Sequence, residues 1–596
     1  MPNVNVTFAG YTLVLPGAYY VDTVGGTYPD TPPTTPPLCI VGVSYGGASG
    51  VPYTFASAQN ALSFVRGGPI ATLIPLISNP SPSLSGAGLI TIINVAQNTP
   101  STLNVGVSGV SSGTTVFALA STNYGPPSNL LQASFGAASV GPGYNVTLKD
   151  TYAGTSLTGV NLGTPFALGY VGAGTSGTYT YSATGLSLVS APSGESLTIP
   201  IVVSGTTTVS QLVQAVNGSV AWVAEIVSST QGLGPASGLG GSTGGTSLVA
   251  VSGIPQWSYV TATTSDIVFW FSQFAQAYAQ VTSYYPAVSG YLPYGFPLTY
   301  FTGATGPTGT VSSNNYASGF NVALTTPAWA VITDSSSPAV QNLGMKHAQI
   351  ASTPPYGSWR RFFTGSAAGD SISTTTANAS ALDSYTTCYV YPGIYQTSTV
   401  TGVSGLVPGY QVAAMAAAMA TGNQIALPLT NKPLSGSGVE FPLTISQINT
   451  LQQFGVMPVA LSGPNGNVPT IVSDLTTWQV DNNPSNVFTQ QVACRWWLAY
   501  SMVNAVAQFV GSIASNPTEA NILNAAKSCL NSLIFTGGGS NGVLNSWDAN
   551  SLVLIYTGGN QVAAITVSAT LVGQNRFIVE TVNLQALNIT ITVAGQ

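Results

Sequence analysis

Alternating apolar and polar positions mark both ends of the chain. Val4, Asn5, Val6, Thr7 and Phe8 follow the period-two pattern of a half-buried strand, and Asn588, Ile589, Thr590, Ile591, Thr592 and Val593 repeat it. Neither stretch carries a charge, and a bare strand edge exposes unpaired N–H and C=O groups. Both are therefore expected to be paired, with the chain's own sheet or with a neighbouring copy by strand addition.

Between the ends the pattern changes twice. Leu38, Cys39, Ile40 and Val41 read as a buried strand, followed by a turn at Gly46, Gly47 and Gly50 and a helix opening at Ser57 and running through Ala61 and Val65. From about 85 to 250, short Val/Thr/Ser/Tyr/Leu runs such as 144–148 and 197–203 are broken by Gly and Pro, which predicts an all-β insertion of sandwich or barrel type. Its glycine-rich stretch, 232–247, reads as a surface loop.

From about 255, helices alternate with strands, as in an α/β unit. The pattern predicts a helix over Asp266–Val281 with Phe269, Trp270 and Phe274, and strands over Ala328–Thr333, Arg361–Thr364 and Thr387–Tyr391. It also predicts a short helix near Met345 and an alanine-rich helix over Tyr410–Ala420 with Met415 and Met419 on one face. Thr444 with Gln447 makes a capping-box pattern before Ile448, Leu451 and Phe454, and Gly455 supplies the stop. Over Trp496–Ala514, Ser501, Asn504, Gln508 and Ser512 trace one polar stripe, so this segment reads as an amphipathic helix on a core and not as a membrane span. Asn516, Pro517 and Glu519 start a further helix burying Ile522, Ala526, Cys529, Leu530 and Leu533, with Gly537, Gly538 and Gly539 ending it. Strands over Ser551–Tyr556 and Arg576–Val582 complete the reading.

Composition narrows the functional classes. At 596 residues several domains are expected. Charged residues are 4% of the chain, against roughly 25% in ordinary domains. Nine basic and fifteen acidic residues give a net charge of −6, so direct nucleic-acid binding is not expected. Surface contacts that use few ion pairs should respond weakly to salt and pH. Cys39, Cys388, Cys494 and Cys529 are too dispersed for a zinc knuckle or a redox pair and read as buried free thiols. The N-terminus lacks the charged and apolar regions of a secretory signal.

Chemistry-bearing motifs are few. Gly42-Val-Ser-Tyr-Gly46 matches a nucleophile elbow, and Asp334 and His347 would complete a triad around Ser44. An elbow needs its helix to begin at once, whereas Gly46, Gly47, Gly50 and Pro52 intervene before Ser57. His347 is the only histidine, no calcium-loop spacing occurs at Asp22, Asp30 or Asp150, and no glycine-rich stretch leads into a P-loop lysine. No catalytic, metal or cofactor site is expected. Trp359, Arg360 and Arg361 read as an anchor at a strand edge or an interface.

The order of elements from about 385 to 585 resembles the core domain of contractile-tail sheath proteins, the outer tube of contractile phage tails and related injection machines. The pieces that carry it are Tyr389-Val-Tyr-Pro-Gly393, Val407-Pro-Gly-Tyr-Gln-Val-Ala-Ala414, Leu429-Thr-Asn-Lys-Pro-Leu-Ser-Gly436 and Leu443-Thr-Ile-Ser-Gln-Ile-Asn-Thr-Leu451. The turn Phe454-Gly-Val456, the helix from Cys494 and the start at Asn516-Pro-Thr-Glu519 continue the order. Leu15-Pro-Gly-Ala-Tyr19 and Gly42-Val-Ser-Tyr-Gly-Gly47 to Tyr53-Thr-Phe55 are similar to the family's opening strands.

The resemblance implies an α+β multidomain fold, with an α/β sheath core built from N- and C-terminal segments, an all-β insertion, a middle α/β domain and terminal strand arms. Its expected divisions are an N-terminal arm at 1–25, core at 26–84 and 385–585, an outer β insertion at 85–254, a middle domain at 255–384 and a C-terminal arm at 586–596. It implies a helical homo-oligomer around an inner tail tube, with baseplate and tail terminator proteins as partners. Such a sheath assembles in the host cytoplasm, resides in the virion tail and contracts for genome ejection, without cofactor or membrane insertion. Val4, Val6, Phe8, Ile589, Ile591 and Val593 are its implied inter-subunit arms. Arg495, Trp496, Trp497 and Lys527 are the candidate tube contact, where scarce charge leaves polar and apolar contacts to do the docking. The alternative is a static surface-lattice or adhesin-type protein.

Overall fold

The computed structural model describes residues 6–8, 11–13, 37–106, 115–182, 185–191, 196–200, 207–236, 246–248, 254–260, 264–284, 293–306, 311–353, 358–397, 404–461, 468–537, 542–557 and 562–574. The chain divides into two compact units, one of residues 1–39, 76–89 and 324–596, the other of residues 40–75 and 90–323.

The first unit is organised by four parallel strands. Ala330–Thr333, Arg361–Gly365, Thr387–Tyr391 and Val456–Leu461 lie side by side in chain order, with Ala330 opposite Arg361, Phe362 opposite Thr387 and Tyr389 opposite Val456. Pro469–Ile471 and Lys432–Pro433 extend them antiparallel. Parallel strands need crossovers that cover both faces, which explains why the first three strands are buried along their whole length.

Helices Pro338–Ala351, Ile372–Ala381, Gly409–Gly422 and Ile445–Gln453 lie between these strands in the chain. Gly409–Gly422 is buried nearly all round because its alanines let it lie close to the sheet, and a Cβ on Gly365 would meet the Gly409 backbone at 2.5 Å. The capping box of Thr444 and Gln447 forms, and Gly455 takes the left-handed φ of 67° that ends this helix.

Several predicted elements shift. The helix near Met345 is longer than expected, spanning Pro338–Ala351, with Gly344 inside it because a Cβ there would strike the Phe362 ring at 2.3 Å. The helix expected over Trp496–Ala514 instead runs over Thr489–Ala507. Its neighbour, Asn516–Ser532, is capped by Ser515 and ends well before Gly537, because Ile534 turns aside to bridge Leu544. Strands Leu544–Trp547, Val553–Thr557, Val562–Thr566 and Ala569–Leu571 follow. The strand expected at 576–582 lies outside the described residues.

The second unit contains the strand pair Pro52–Phe55 and Ile90–Asn94, the helix Ala58–Val65 capped by Ser57, and the β-rich insertion. Thr155–Leu162, Tyr144–Asp150, Leu131–Ala137 and Phe296–Tyr300 form one antiparallel sheet, and Thr115–Tyr124 lies between Pro100–Gly106 and Ala279–Tyr284 in another. A second core gathers Phe166, Leu168, Tyr170, Leu212 and Trp222.

Two corrections apply here. The helix predicted over Asp266–Val281 stops at Gln273, and Val281, with the following Thr, Ser and Tyr, joins a strand opposite Ala118 and Leu119, where β-branched and aromatic side chains pack better. The insertion also holds a helix, Val209–Val216, capped by Thr208 and Gln211.

Candidate assembly interface

The C-terminal part of the first unit is built on a helical pair, Thr489–Ala507 and Asn516–Ser532, around one aromatic cluster. Trp496 is 1% exposed and meets Trp329 and Tyr385 edge-on at ring distances of 6.4 and 6.3 Å. Trp359 packs edge-on against Tyr500 at 4.8 Å. Of the predicted tube contacts, Trp496 is thus corrected to a core residue: its position on the helix faces the sheet. Trp497 is half-buried against Trp329, Arg495 donates to Asn486 Oδ1 at 3.0 Å and lies over the Tyr385 ring, and Lys527 is exposed. The helical pair is joined by a turn in which Ile513 is 83% exposed.

Trp359, Arg360 and Arg361, read from sequence as an edge or interface anchor, are all buried. Arg360 donates from Nε and NH2 to Ser358. Arg361 donates to Thr489 Oγ1 at 3.2 Å and lies between the rings of Trp329 and Phe363, so it fastens a sheet strand to the start of the long helix. Among the described residues no carboxylate lies within ion-pair distance of it. Burial lowers its pKa, countered by the nearby Cys388, Cys494 and Asp474. Asp474 is also fully buried, and burial pushes its carboxyl up to about 6 against donors from Gln574, Leu429, Thr430 and Gln490. The Cys39, Cys388 and Cys494 thiols are pushed up to about 12 by burial.

The segment Val553–Thr557 pairs antiparallel with Val562–Thr566 as a two-stranded ribbon, Leu554 opposite Ile565 and Ile555 opposite Ala564. Its inner face is seated by Ile565 on the cluster holding Trp496 and Leu530. Outward, Val553 and Ile555 are 44% and 51% exposed. Among the described residues no further strand pairs with either edge. A two-stranded ribbon is marginal alone, and an apolar, uncharged one with open edges is a template for strand addition.

Of the predicted arm residues, Val6 and Phe8 fall in a short strand, Val6–Phe8, paired with Tyr11–Leu13. Val4, Ile589, Ile591 and Val593 lie outside the described residues. The ribbon's outward apolar face was not read from sequence, although the alternation Val553, Ile555 is present there.

The Ser44 elbow is not assembled as a nucleophile. Ser44 is buried, its Oγ donates to the Gly46 carbonyl at 2.7 Å, and the next helix begins only at Ala58. Among the described residues no cluster of three metal-ligating acids, histidines or cysteines forms, and no helix is long and apolar enough to cross a membrane.

No protein-family model and no curated protein sequence matches the chain. Among solved structures it is similar to a sheath tail protein from Listeria innocua, with a TM-score of 0.54 at 9% identity over 90% of this chain and 94% of that one. A sheath tail protein from Desulfitobacterium hafniense aligns with a TM-score of 0.47 at 10% identity over 93% and 100% of the two chains. The contracted helical sheath of the anti-feeding prophage aligns with a TM-score of 0.36 at 14% identity over 47% and 78%. The resemblance noted in the sequence is met at the level of fold by the first of these: this chain shares the fold of the Listeria innocua sheath tail protein.

Proposed function

We propose that this chain is the subunit of a helical sheath that polymerises around an inner tube and shortens to drive that tube through a target envelope, as in a phage tail or a related injection machine. Baseplate and terminator proteins would bound the polymer at its two ends. The observation that carries the reading is the ribbon at 553–566, with apolar outward residues and, among the described residues, no strand at either edge, in a chain of sheath fold. Its strands are five residues long, close to the five residues of the alternating stretch 4–8 and the six of 588–593. Strands from neighbouring copies would complete it and keep subunits joined while they rotate as rigid bodies. Arg495, Trp497 and Lys527 are the remaining candidates for contact with the tube. The β-rich insertion would lie outside, clear of the lumen.

Negative-stain imaging of the purified protein tests this. Hollow tubes of uniform diameter are expected, and deletion of residues 1–9 or 588–596 should abolish them. Flat sheets would favour a static lattice, and normal tubes from both deletions would remove the arms from the account.

A further inference from the structure

Within the second unit, the helix Ala58–Val65 and the sheet holding Leu131–Ala137, Tyr144–Asp150 and Thr155–Leu162 spend apolar side chains in different places. Phe64 of the helix packs on Tyr53 and Phe55 at ring distances of 4.4 and 5.1 Å, whereas Leu131, Val146, Leu148 and Leu162 of the sheet share a core with Trp270 and Phe271. Burial of this kind is non-directional and does not by itself set the angle between helix and sheet.

Two directional contacts do. At the root of the insertion, Asn98 Nδ2 donates to the Ser44 and Tyr45 carbonyls at 2.8 and 3.0 Å, and a Cβ on Gly125 would meet the Tyr45 carbonyl oxygen at 1.9 Å. Away from the root, Arg66 closes the helix in the left-handed region, with φ of 55°, and donates from Nη2 to Asp150 Oδ2 at 2.5 Å. Its guanidinium lies 5.2 Å from the centre of the Tyr152 ring. Asp150 Oδ1 accepts from the Tyr152 and Ala153 N–H groups at 3.0 and 3.1 Å, so the carboxylate is aimed by its own turn. Both side chains are buried, at 8% and 5% exposure. Arg66 Nε finds no acceptor among the described residues, so part of the cost of burying two charges is left unrecovered. One contact at the root would be a pivot; the second removes the rotation that a pivot leaves.

We propose that the Arg66–Asp150 pair is an orientation lock, which selects one angle between the helix Ala58–Val65 and the β-rich insertion and adds little to net stability. In a sheath subunit it would make the insertion turn with residues 40–68 as one piece. That use rests on the function proposed above; the lock itself does not.

Pulsed electron spin resonance reads the angle as a distance. Ser63→Cys on the helix and Ser156→Cys on the sheet place labels at exposed positions, and Cys529→Ser removes the half-buried thiol, the other three being buried. Labelled full-length chain diluted with unlabelled chain should give one narrow distance distribution. Arg66→Met combined with Asp150→Asn, which leaves no charge unpaired, should broaden it about twofold while the chemical-denaturation midpoint stays at the parent's value. Each single variant should broaden it as far and lower the midpoint as well, because one buried charge loses its partner. Should a single variant fail to fold, the double variant still carries the test. An unchanged distribution in the double variant would overturn the lock. So would a midpoint that falls along with the broadening, which would make the pair a stabilising contact of the fold. Tube formation is a separate readout, so either failure leaves the sheath reading standing.

Discussion

The parallel strands of the first unit and the ribbon at 553–566 solve the problem of a sheet in opposite ways. The parallel strands are covered on both faces, and they take polar groups inward: Arg361, Thr364, Thr387 and Cys388 are all buried on or beside them. The ribbon has two strands, turns Val553 and Ile555 outward and has no strand at either edge among the described residues. The parallel strands thus owe their stability to cover on both faces, although Arg361 Nε, Thr364 Oγ1 and Thr387 Oγ1 find no partner there among the described residues, and the proposed association falls to the ribbon. Charge has a small part in both, in keeping with a chain in which 4% of the residues are charged.

Substitutions on the two sides should separate folding from assembly. Trp496→Ala removes the centre of the aromatic cluster and should cost about 3–5 kcal/mol, seen as a lower midpoint in chemical denaturation. Were its effect confined to assembly with stability unchanged, the indole would not be core.

Asp474 should produce the next largest effect. Its folded pKa of about 6 lies above the ordinary 3.8, so the folded state holds the proton more tightly than the unfolded one. The contribution is fully present below 3.8 and lost as pH rises through about 6, and a rise of that size is worth roughly 3 kcal/mol. Asp266, also raised by burial, acts in the same direction. Denaturation midpoints should therefore decrease as pH rises from about 4 to about 6, and Asp474→Asn should flatten that slope; a slope of opposite sign in the wild type would refute it.

Ile555→Thr sits on the other side of the comparison. Monomer stability should change by no more than about 0.5 kcal/mol, while tubes should shorten or vanish in negative stain. Smallest of all should be the effect of salt. Between about 0.05 and about 1 M, tube yield should stay nearly constant, since few exposed ion pairs exist to be screened. A steep salt dependence would reinstate charge-based docking through Arg495 and Lys527.

Local signals were legible and long-range ones were not. Ser57, the Thr444–Gln447 box and Gly455 act where their spacing predicts, because caps are decided within one turn. The box of Thr208 and Gln211 carried the same signal inside a β-rich stretch and marks a helix there. The helix from Ser265 ends early because pairing with Thr115–Tyr124, far away in sequence, outweighs local propensity. Arg360 and Arg361 read as an anchor at a strand edge or an interface because charge is usually kept near the surface, and only the fold reveals rings and hydroxyls to receive them. The bond from Gln490 to the Val572 carbonyl was equally hidden, because no local pattern links residues so far apart in sequence.

The decisive observation is a cryo-electron microscopy reconstruction of assembled tubes at side-chain resolution. The account predicts that the ribbon at 553–566 gains a strand on at least one edge, contributed by another copy's terminal segment. A ribbon left two-stranded in the tube, with both terminal segments folded onto their own subunit, would contradict it.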